Sequence, residues 1–281
     1  MIVHVLGTSQ DGGYPQVGCS EPCCNIAWNN DSSIRFPSCL AFVNPSIKKY
    51  WLFDVTPEVK AQVRMLESYE CSLAGVFITH AHIGHYMGII NFGLEVMNLS
   101  SIPIYVMPKM KSFLETNSIM NQLIINENIE LIELSDEDYC HVDGAMIKPF
   151  NVPHRNELSE TVGFEIKGNK KTIIYLPDID SWDGWMDNLL ALIDLSDVLF
   201  LDGTFFSKSE LKVRDISKIP HPAIIDTMDK LSGLDLDLKK KIHFIHFNHT
   251  NDVLRDESEA AKNVIDNGFL LSKEMQSFKI S

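Results

Sequence analysis

The chain has 281 residues, 45% of them hydrophobic and 22% charged, an ordinary globular composition with enough apolar material for a sizeable core. Its formal net charge of −14 argues against nucleic acid or an anionic membrane as a partner, since phosphate-rich surfaces are held by Lys and Arg. A small anionic substrate stays compatible, because a bound cation dominates the field close to it.

The N-terminal Met1-Ile2-Val3-His4-Val5-Leu6-Gly7 lacks the basic segment and long apolar run of a signal peptide. Ile2 to Gly7 reads instead as a first strand, running into the turn-rich Thr8-Ser9-Gln10-Asp11-Gly12-Gly13-Tyr14-Pro15. Next comes Cys19-Ser20-Glu21-Pro22-Cys23-Cys24, three cysteines within six residues and most of a tetrahedral zinc knot that needs a fourth ligand from elsewhere. Ser38 to Val43 and Tyr50 to Val55 read as strands joined by Asn44-Pro45-Ser46. Pro57 to Ser68 has a helical pattern with Thr56 as N-cap. A short apolar strand, Ala74 to Ile78, then leads into Thr79-His80-Ala81-His82-Ile83-Gly84-His85-Tyr86, followed by a predicted buried helix over Met87 to Glu95.

Beyond that turn, Ile102 to Val106 reads as a strand, Lys109 to Thr116 as a helix, and Ile129 to Leu134 and Met146 to Phe150 as strands. The last of these runs into Pro153-His154-Arg155. Thr161 to Ile166 and Lys171 to Tyr175 form a predicted hairpin, the second strand ending in Leu176-Pro177-Asp178. Trp182 to Leu195 reads as a helix, Val198 to Leu201 as a strand ending in Asp202-Gly203-Thr204, and Ala223 to Leu231 as a helix preceded by Pro220-His221-Pro222. Asn188 to Leu201 is the most apolar stretch, but Asp194 and Asp197 interrupt it as a membrane span. Ile242 to Phe247 is a predicted strand, Glu257 to Asp266 a helix, and Phe269 to Leu271 the start of a final strand. No linker, repeat or low-complexity tract divides the sequence, so a single domain over 1–281 is expected, soluble and cytoplasmic, with a homodimer compatible. In that compartment Cys19, Cys23, Cys24, Cys39, Cys71 and Cys140 read as thiols or metal ligands, not disulfides.

The histidine turn carries the chemistry. An extended segment points His80 and His82 to one side, and one helical turn brings His85 to the same place, so three neutral imidazoles converge as metal ligands. His154, Asp178, Asp202, His246 and His249 lie at later strand ends, where a rigid platform meets a loop. Between His243 and His246, the two-residue period of a strand lets only one point into a shared site. Strands in pairs interspersed with helices favour an α/β domain with sheets covered by helices.

His80-x-His82-x-x-His85 after a strand, followed in order by His154, Asp178 and His246, resembles the metallo-β-lactamase superfamily along the whole chain. Within it, Gln10-Asp11-Gly12-Gly13-Tyr14-Pro15-Gln16, Asp202-Gly203-Thr204-Phe205-Phe206 and Ile245-His246-Phe247-Asn248-His249-Thr250-Asn251 resemble the coenzyme PQQ synthesis protein B group. The chain is also similar to the cyclic phosphodiesterase of phosphonate breakdown, in its Cys-rich loop and late His-x-x-His pair. The resemblance implies an αββα four-layer sandwich with the metal site at one edge. Carried over, it implies a first metal on His80, His82 and His154, Asp178 bridging to a second on His85 and His246, and a separate structural zinc on Cys19, Cys23, Cys24 and His249. The related zinc loop, Cys-x-Cys-x-x-Cys, would place Glu21 at its middle position, so Cys23 stands in. The usual turn is His-x-His-x-Asp-His, and Gly84 stands where its second-metal Asp would be.

Three functions stay open on these residues. The first is a metal-dependent hydrolase of a small phosphoester or phosphodiester, using one or two divalent ions, zinc first with iron or manganese as alternatives. In it Asp178 positions the attacking water, and His85, released from a strict ligand role by Gly84, is a base or substrate contact. His221 is a general acid or phosphate contact, Arg155 an anion clamp, and Asp202 a support behind a ligand imidazole. The second is an oxygenase with one iron, which the PQQ protein B resemblance implies. The third is a metal-stabilised protein without turnover.

Overall fold

A computed structural model describes residues 1–210 and 219–281. The first sheet contains β1 (Ile2–Gly7), β2 (Cys39–Asn44), β3 (Lys49–Phe53), β4 (Ser72–Phe77), β5 (Ile102–Val106) and β6 (Ile129–Glu133). The second contains β7 (Cys140–Val142), β8 (Ala145–Asn151), β9 (Val162–Lys167), β10 (Thr172–Leu176), β11 (Val198–Asp202), β12 (Ile242–Ile245) and β13 (Leu270–Leu271). A last strand, β14 (Ser277–Lys279), returns to the first sheet beside β1. The strand orders are β14-β1-β2-β3-β4-β5-β6 and β13-β12-β11-β10-β9-β8-β7.

The layers follow from how each strand divides its side chains. On β2, Leu40 and Phe42 pack between the sheets while Cys39, Ala41 and Val43 pack outward, so both faces are buried and the strand reads as a continuous apolar run. Val3, Val5, Trp51, Phe53 and Phe77 of the first sheet share this middle layer with Ile147, Phe164, Ile166, Ile173, Tyr175 and Phe200 of the second. Phe53 and Phe77 stack at 5.1 Å and both meet Phe164 edge-on, at 5.5 and 5.7 Å. Each such pair adds about 0.5–1.5 kcal/mol beyond the burial of its area.

Helices cover the outsides. Those with side chains on the first sheet include α2 (Val59–Arg64), α4 (Pro108–Thr116) and α5 (Ser118–Ile125), through Val59, Met110, Leu114, Met120 and Leu123; the short α3 (Ile83–Tyr86) precedes α4. On the second sheet are α6 (Met186–Leu195), α7 (Ile224–Lys230) and α9 (Glu259–Asp266), through Leu189, Ile193, Ile224, Met228, Ala260 and Val264. Two further helices, α1 (Pro22–Trp28) and α8 (Leu236–Lys239), complete the set among the described residues. The expected αββα sandwich is the fold, and no helix of the described residues is long and apolar enough to cross a membrane.

Several boundaries differ from expectation for local reasons. The buried helix expected over Met87–Glu95 is instead α3 followed by a 3-10 segment, Met87–Phe92. There Gly88 N–H donates to Val55 O (2.9 Å), which takes it out of a regular helical ladder. The helix expected from Pro57 starts at Val59, because Thr56 Oγ1 accepts from Glu58 N (3.1 Å) and donates to buried Gln62 (2.7 Å) in a turn ahead of it. The strand expected to run to Phe247 stops at Ile245, and His246 adopts a left-handed φ of 67°. His246 therefore enters the site by leaving the strand, not by strand alternation. The sequence pattern does not predict α1, α5, α8, β7 or β14.

Candidate metal centre

Strand direction gathers the polar residues. Within the first sheet β1, β3 and β4 run the same way, and within the second so do β8, β10, β11 and β12. Their C-terminal ends lead into Asp11, Asp54, His80, His154, Asp178, Asp202 and His246, the side of an α/β sheet where loops carry ligands.

His80, His82 and His154 offer ring nitrogens that lie within 4.8 Å of one another, with His82 Nδ1 and His154 Nε2 3.4 Å apart. For bonds of about 2.0–2.1 Å, tetrahedral geometry around zinc sets nitrogen atoms roughly 3.3 Å apart. Asp178 sits between this group and a second one. Its Oδ1 is 3.8 Å from His154 Nε2, while its Oδ2 lies 3.9 Å from His80 Nε2, 3.2 Å from His85 Nε2 and 3.3 Å from His246 Nε2.

The rear nitrogens are held in a repeated pattern. Thr79 Oγ1 donates to Asp54 (2.9 Å) and faces His80 Nδ1 at 2.9 Å, so the hydroxyl is left to accept the Nδ1 proton. Thr204 Oγ1 donates to Asp202 (2.8 Å) and faces His246 Nδ1 at 3.0 Å in the same way. Both carboxylates also hold an imidazole directly: Asp54 Oδ2 lies 2.7 Å from His85 Nδ1, and Asp202 Oδ2 lies 2.7 Å from His221 Nδ1. His154 Nδ1 lies 2.7 Å from Asp180 Oδ1. For His80 and His246 the forward nitrogen thereby keeps its lone pair for the centre, the usual function of groups behind metal-binding histidines.

The electrostatics point the same way. Burial, followed by neighbouring His85, drives the His80 imidazolium well below its ordinary pKa; burial also brings His82 down to about 4 and lowers His246. These rings are neutral near pH 7 and able to ligate. At His85 burial is outweighed by Asp54, Asp11 and Asp178, which hold its pKa well above the ordinary value. At Asp178 burial is likewise outweighed, by His246, His85 and His80, and its carboxyl stays ionised far below the usual range. At His221 burial is outweighed by Asp202, which raises its pKa.

The site passes a test of fit to metal ions. His80 Nε2, His246 Nε2, Asp178 Oδ2 and Asp11 Oδ1 are shut from solvent without a hydrogen-bond partner. Each such atom would cost about 1–3 kcal/mol if left so. Among the described residues no Lys or Arg pairs with Asp11, Asp54, Asp178, Asp180 or Asp202, so their charge is met only by imidazoles. A divalent cation satisfies both the orphaned atoms and the charge.

Cys19, Cys23, Cys24 and His249 form a separate group. Cys19 Sγ–Cys23 Sγ is 3.7 Å, Cys23 Sγ–His249 Nδ1 3.7 Å and Cys24 Sγ–His249 Nδ1 3.4 Å, close to the roughly 3.5–3.8 Å edges of a tetrahedral zinc with Zn–S of about 2.3 Å. Burial pushes the Cys24 thiol up to about 12, so only a bound cation would hold it as thiolate at neutral pH. Cys23 lies in this group, on the first turn of α1.

Arg155 is not drawn into the cluster. It stands exposed after His154, with no hydrogen bond or ion pair among the described residues. The sequence reading missed Asp54, Asp180, Thr79, Thr204 and Asp11. Asp11 lies 3.2 Å from His85 Nε2 through Oδ1 and groups with His85 and His246. In the sequence it stands out only as part of the Gln10–Gln16 motif. The available signal was Gly84: a Cβ there would fall 2.2 Å from Asp11 Oδ1 and 2.5 Å from Asp11 Cα.

A family model described as the beta-lactamase superfamily domain matches residues 49–247. The chain is similar to coenzyme PQQ synthesis protein B of Methylorubrum extorquens, 22% identical over 98% of both chains, and to that of Rhizobium meliloti, 24% identical over 92% of this chain and 91% of the other. Among solved structures it is similar to zinc-bound PqqB from Methylobacterium extorquens, with TM-score 0.83, 21% identity and coverage of 99% of this chain and 100% of that one. A diphosphatase from the PhnP family aligns with TM-score 0.69 and 19% identity, covering 99% and 96%. Human short-form tRNase Z aligns with TM-score 0.57 and 16% identity over the full length of both.

Proposed function

The chain belongs to the beta-lactamase superfamily, and from that premise we propose that it is a metal-dependent hydrolase of a small phosphoester or phosphodiester. The observation that carries the reading is the convergence of orphaned donor atoms, His80 Nε2, Asp178 Oδ2 and His246 Nε2, whose carboxylate pairs with no Lys or Arg among the described residues. In this reading His80, His82 and His154 would hold one ion, His85 and His246 would serve a second, and Asp178 lies within reach of both groups. When bound, a divalent metal lowers the pKa of water toward about 7 and polarises a phosphoryl oxygen.

The side chains do the rest. Asp178, kept ionised by the surrounding imidazoles, accepts a hydrogen bond from the attacking water and aims it. His221 spends Nδ1 on Asp202, leaving Nε2 as the nitrogen that donates a proton to the leaving oxygen. Its raised pKa keeps that proton available near neutrality. Asp202 positions His221 and, through Thr204, His246. Arg155, exposed beside His154, meets the anionic remainder of the substrate. The similarity to a diphosphatase supports hydrolysis at phosphorus. The zinc-bound PqqB structure and the thiolate set support zinc, at least in the Cys/His249 group.

The full-length similarity to PQQ synthesis protein B favours a second reading, oxidative chemistry with one iron on a small biosynthetic precursor. Metal analysis with turnover separates the two. Protein purified without added metal is assayed for zinc, iron and manganese, for hydrolysis of bis(p-nitrophenyl) phosphate and for oxygen uptake. Hydrolysis with two or three zinc ions per chain, lost with one ion in His82→Ala and on chelation, supports the hydrolase. One iron with oxygen uptake and no hydrolysis replaces it by the second reading. A single zinc retained in His82→Ala without turnover removes both and leaves a metal-stabilised protein.

A further inference from the structure

The superfamily turn His-x-His-x-Asp-His lacks its carboxylate here, because position 84 is glycine. The space is nonetheless filled. A Cβ on Gly84 would lie 2.2 Å from Asp11 Oδ1, 2.5 Å from Asp11 Cα and 2.7 Å from its carboxyl carbon. A side chain at 84 and the Asp11 loop as it stands therefore exclude each other. Asp11 Oδ1 is shut from solvent without a hydrogen-bond partner and lies 3.2 Å from His85 Nε2. Its carboxylate, His85 and His246 offer ligand atoms within 4.8 Å of one another.

We propose that Asp11 is a ligand of the second metal ion, supplying from the loop after β1 the carboxylate that Gly84 omits. The proposal rests on the metal-hydrolase reading and makes the centre a two-ion site with two inner carboxylates, Asp11 and Asp178. A loop residue can serve because this loop is fastened on both sides. Gln10 N donates to Phe247 O (2.8 Å), immediately after His246. Ser9 N donates to Phe36 O (2.9 Å), and Tyr14 N and O exchange hydrogen bonds with Arg35 at 2.8 and 2.7 Å. Tyr14 Oη donates to Cys23 O (2.8 Å) and Gln16 N to Cys24 Sγ (3.4 Å), which tie the loop to the cysteine group. Loss of a direct carboxylate ligand exceeds the roughly 10–100-fold affinity losses seen when a supporting group is removed.

The test is zinc stoichiometry and affinity of the full chain, by elemental analysis after equilibrium dialysis against buffered zinc. Wild type takes three ions. Asp11→Asn takes two, keeping the cysteine-group ion and the His80/His82/His154 ion with unchanged affinities, and the third weakens by about 100-fold or more. Gly84→Ala, which displaces Asp11 without touching it chemically, loses the same ion. The double variant is no worse than either single one, because both act on one ligand. Retention of the first two ions shows that the variants are folded. If Asp11→Asn binds three ions as tightly as wild type, the assignment of Asp11 is overturned while the hydrolase reading stands. If wild type binds only the cysteine-group ion, both fall together.

Discussion

Asp54 shows how much of the site depends on one side chain that binds nothing itself. It is fully buried at a left-handed φ of 66°, a conformation that Asp tolerates better than most residues. Its two oxygens accept from Thr79 N (2.9 Å), Thr79 Oγ1 (2.9 Å), Tyr175 Oη (3.2 Å) and His85 Nδ1 (2.7 Å). An asparagine there must turn an NH₂ toward a group that is already a donor: at the Oδ2 position Tyr175 Oη and His85 Nδ1 both lose their acceptor, and at the Oδ1 position Thr79 N does. Asp54→Asn is expected to weaken the second ion by about 10–100-fold and to destabilise the chain by about 1–3 kcal/mol. The first ion, whose His80 is reached only through Thr79, is disturbed less. Titration of the two ions into the variant checks this, and an unchanged second-ion affinity would remove Asp54 from the positioning role. Asp54 could not be read from the sequence, since a lone Asp after a strand looks the same whether it caps a turn or holds a ligand 31 residues away. The histidines were legible because the spacing of His80, His82 and His85 is local, and local geometry alone makes them converge. Asp11 lay between these cases: it belonged to a visible motif, but its use is set by contact with a residue that has no side chain.

At the scale of elements, the loop that carries Asp11 leans on the chain before β2, and that segment is held by the turn before β14. Phe36 O accepts from Thr8 N and Ser9 N, and Phe36 N donates to Glu274 Oε1 at 2.6 Å. Burial raises the Glu274 carboxyl from its ordinary 4.5 to about 7, only partly offset by the Phe36 N–H and Arg35. An acid with a raised folded-state pKa binds its proton more tightly in the folded chain, so its contribution to stability falls as pH rises from about 4.5 to about 7 and is level above. Glu274→Gln keeps an acceptor for Phe36 N and removes the titration. The variant is expected to match wild type near pH 4.5 and to exceed it above pH 7 by on the order of 1–2 kcal/mol, the shift being discounted for residual solvent contact. Paired urea unfolding at pH 5 and pH 8 reads the difference, and a gap independent of pH would rule this role out. Elements of this size also mark where sequence reading stops. The long apolar strands were found because both faces are buried, whereas β7, β14 and α8 are too short for a periodicity to register. The ladder broken at Gly88 depends on Val55, a partner distant in sequence.

Across the whole molecule, the net charge and the centre pull an anionic substrate in opposite directions. The chain carries −14, and Asp11, Asp54, Asp178, Asp180 and Asp202 gather at one edge without a Lys or Arg partner among the described residues. At long range a phosphodiester anion meets a like-charged protein, and only close to the bound cations does the field reverse. The two effects differ in reach, so salt separates them. Between 0.01 M and 0.15 M ionic strength the Debye length shrinks from about 30 Å to about 8 Å. Repulsion from the distributed charge is then largely screened, while attraction over a few ångströms inside a buried cluster is screened much less. For bis(p-nitrophenyl) phosphate, kcat/KM is expected to rise by roughly two- to fivefold over this range, with most of the change in KM. A neutral ester, if turned over, should show no such rise. Steering by a local basic patch predicts the reverse, a fall in kcat/KM with salt, and that outcome would move the approach path to exposed cations such as Arg155. Arg155→Ala then separates the cases further: under whole-molecule repulsion it leaves the salt slope unchanged and raises KM only through the lost direct contact, whereas under local steering it flattens the slope.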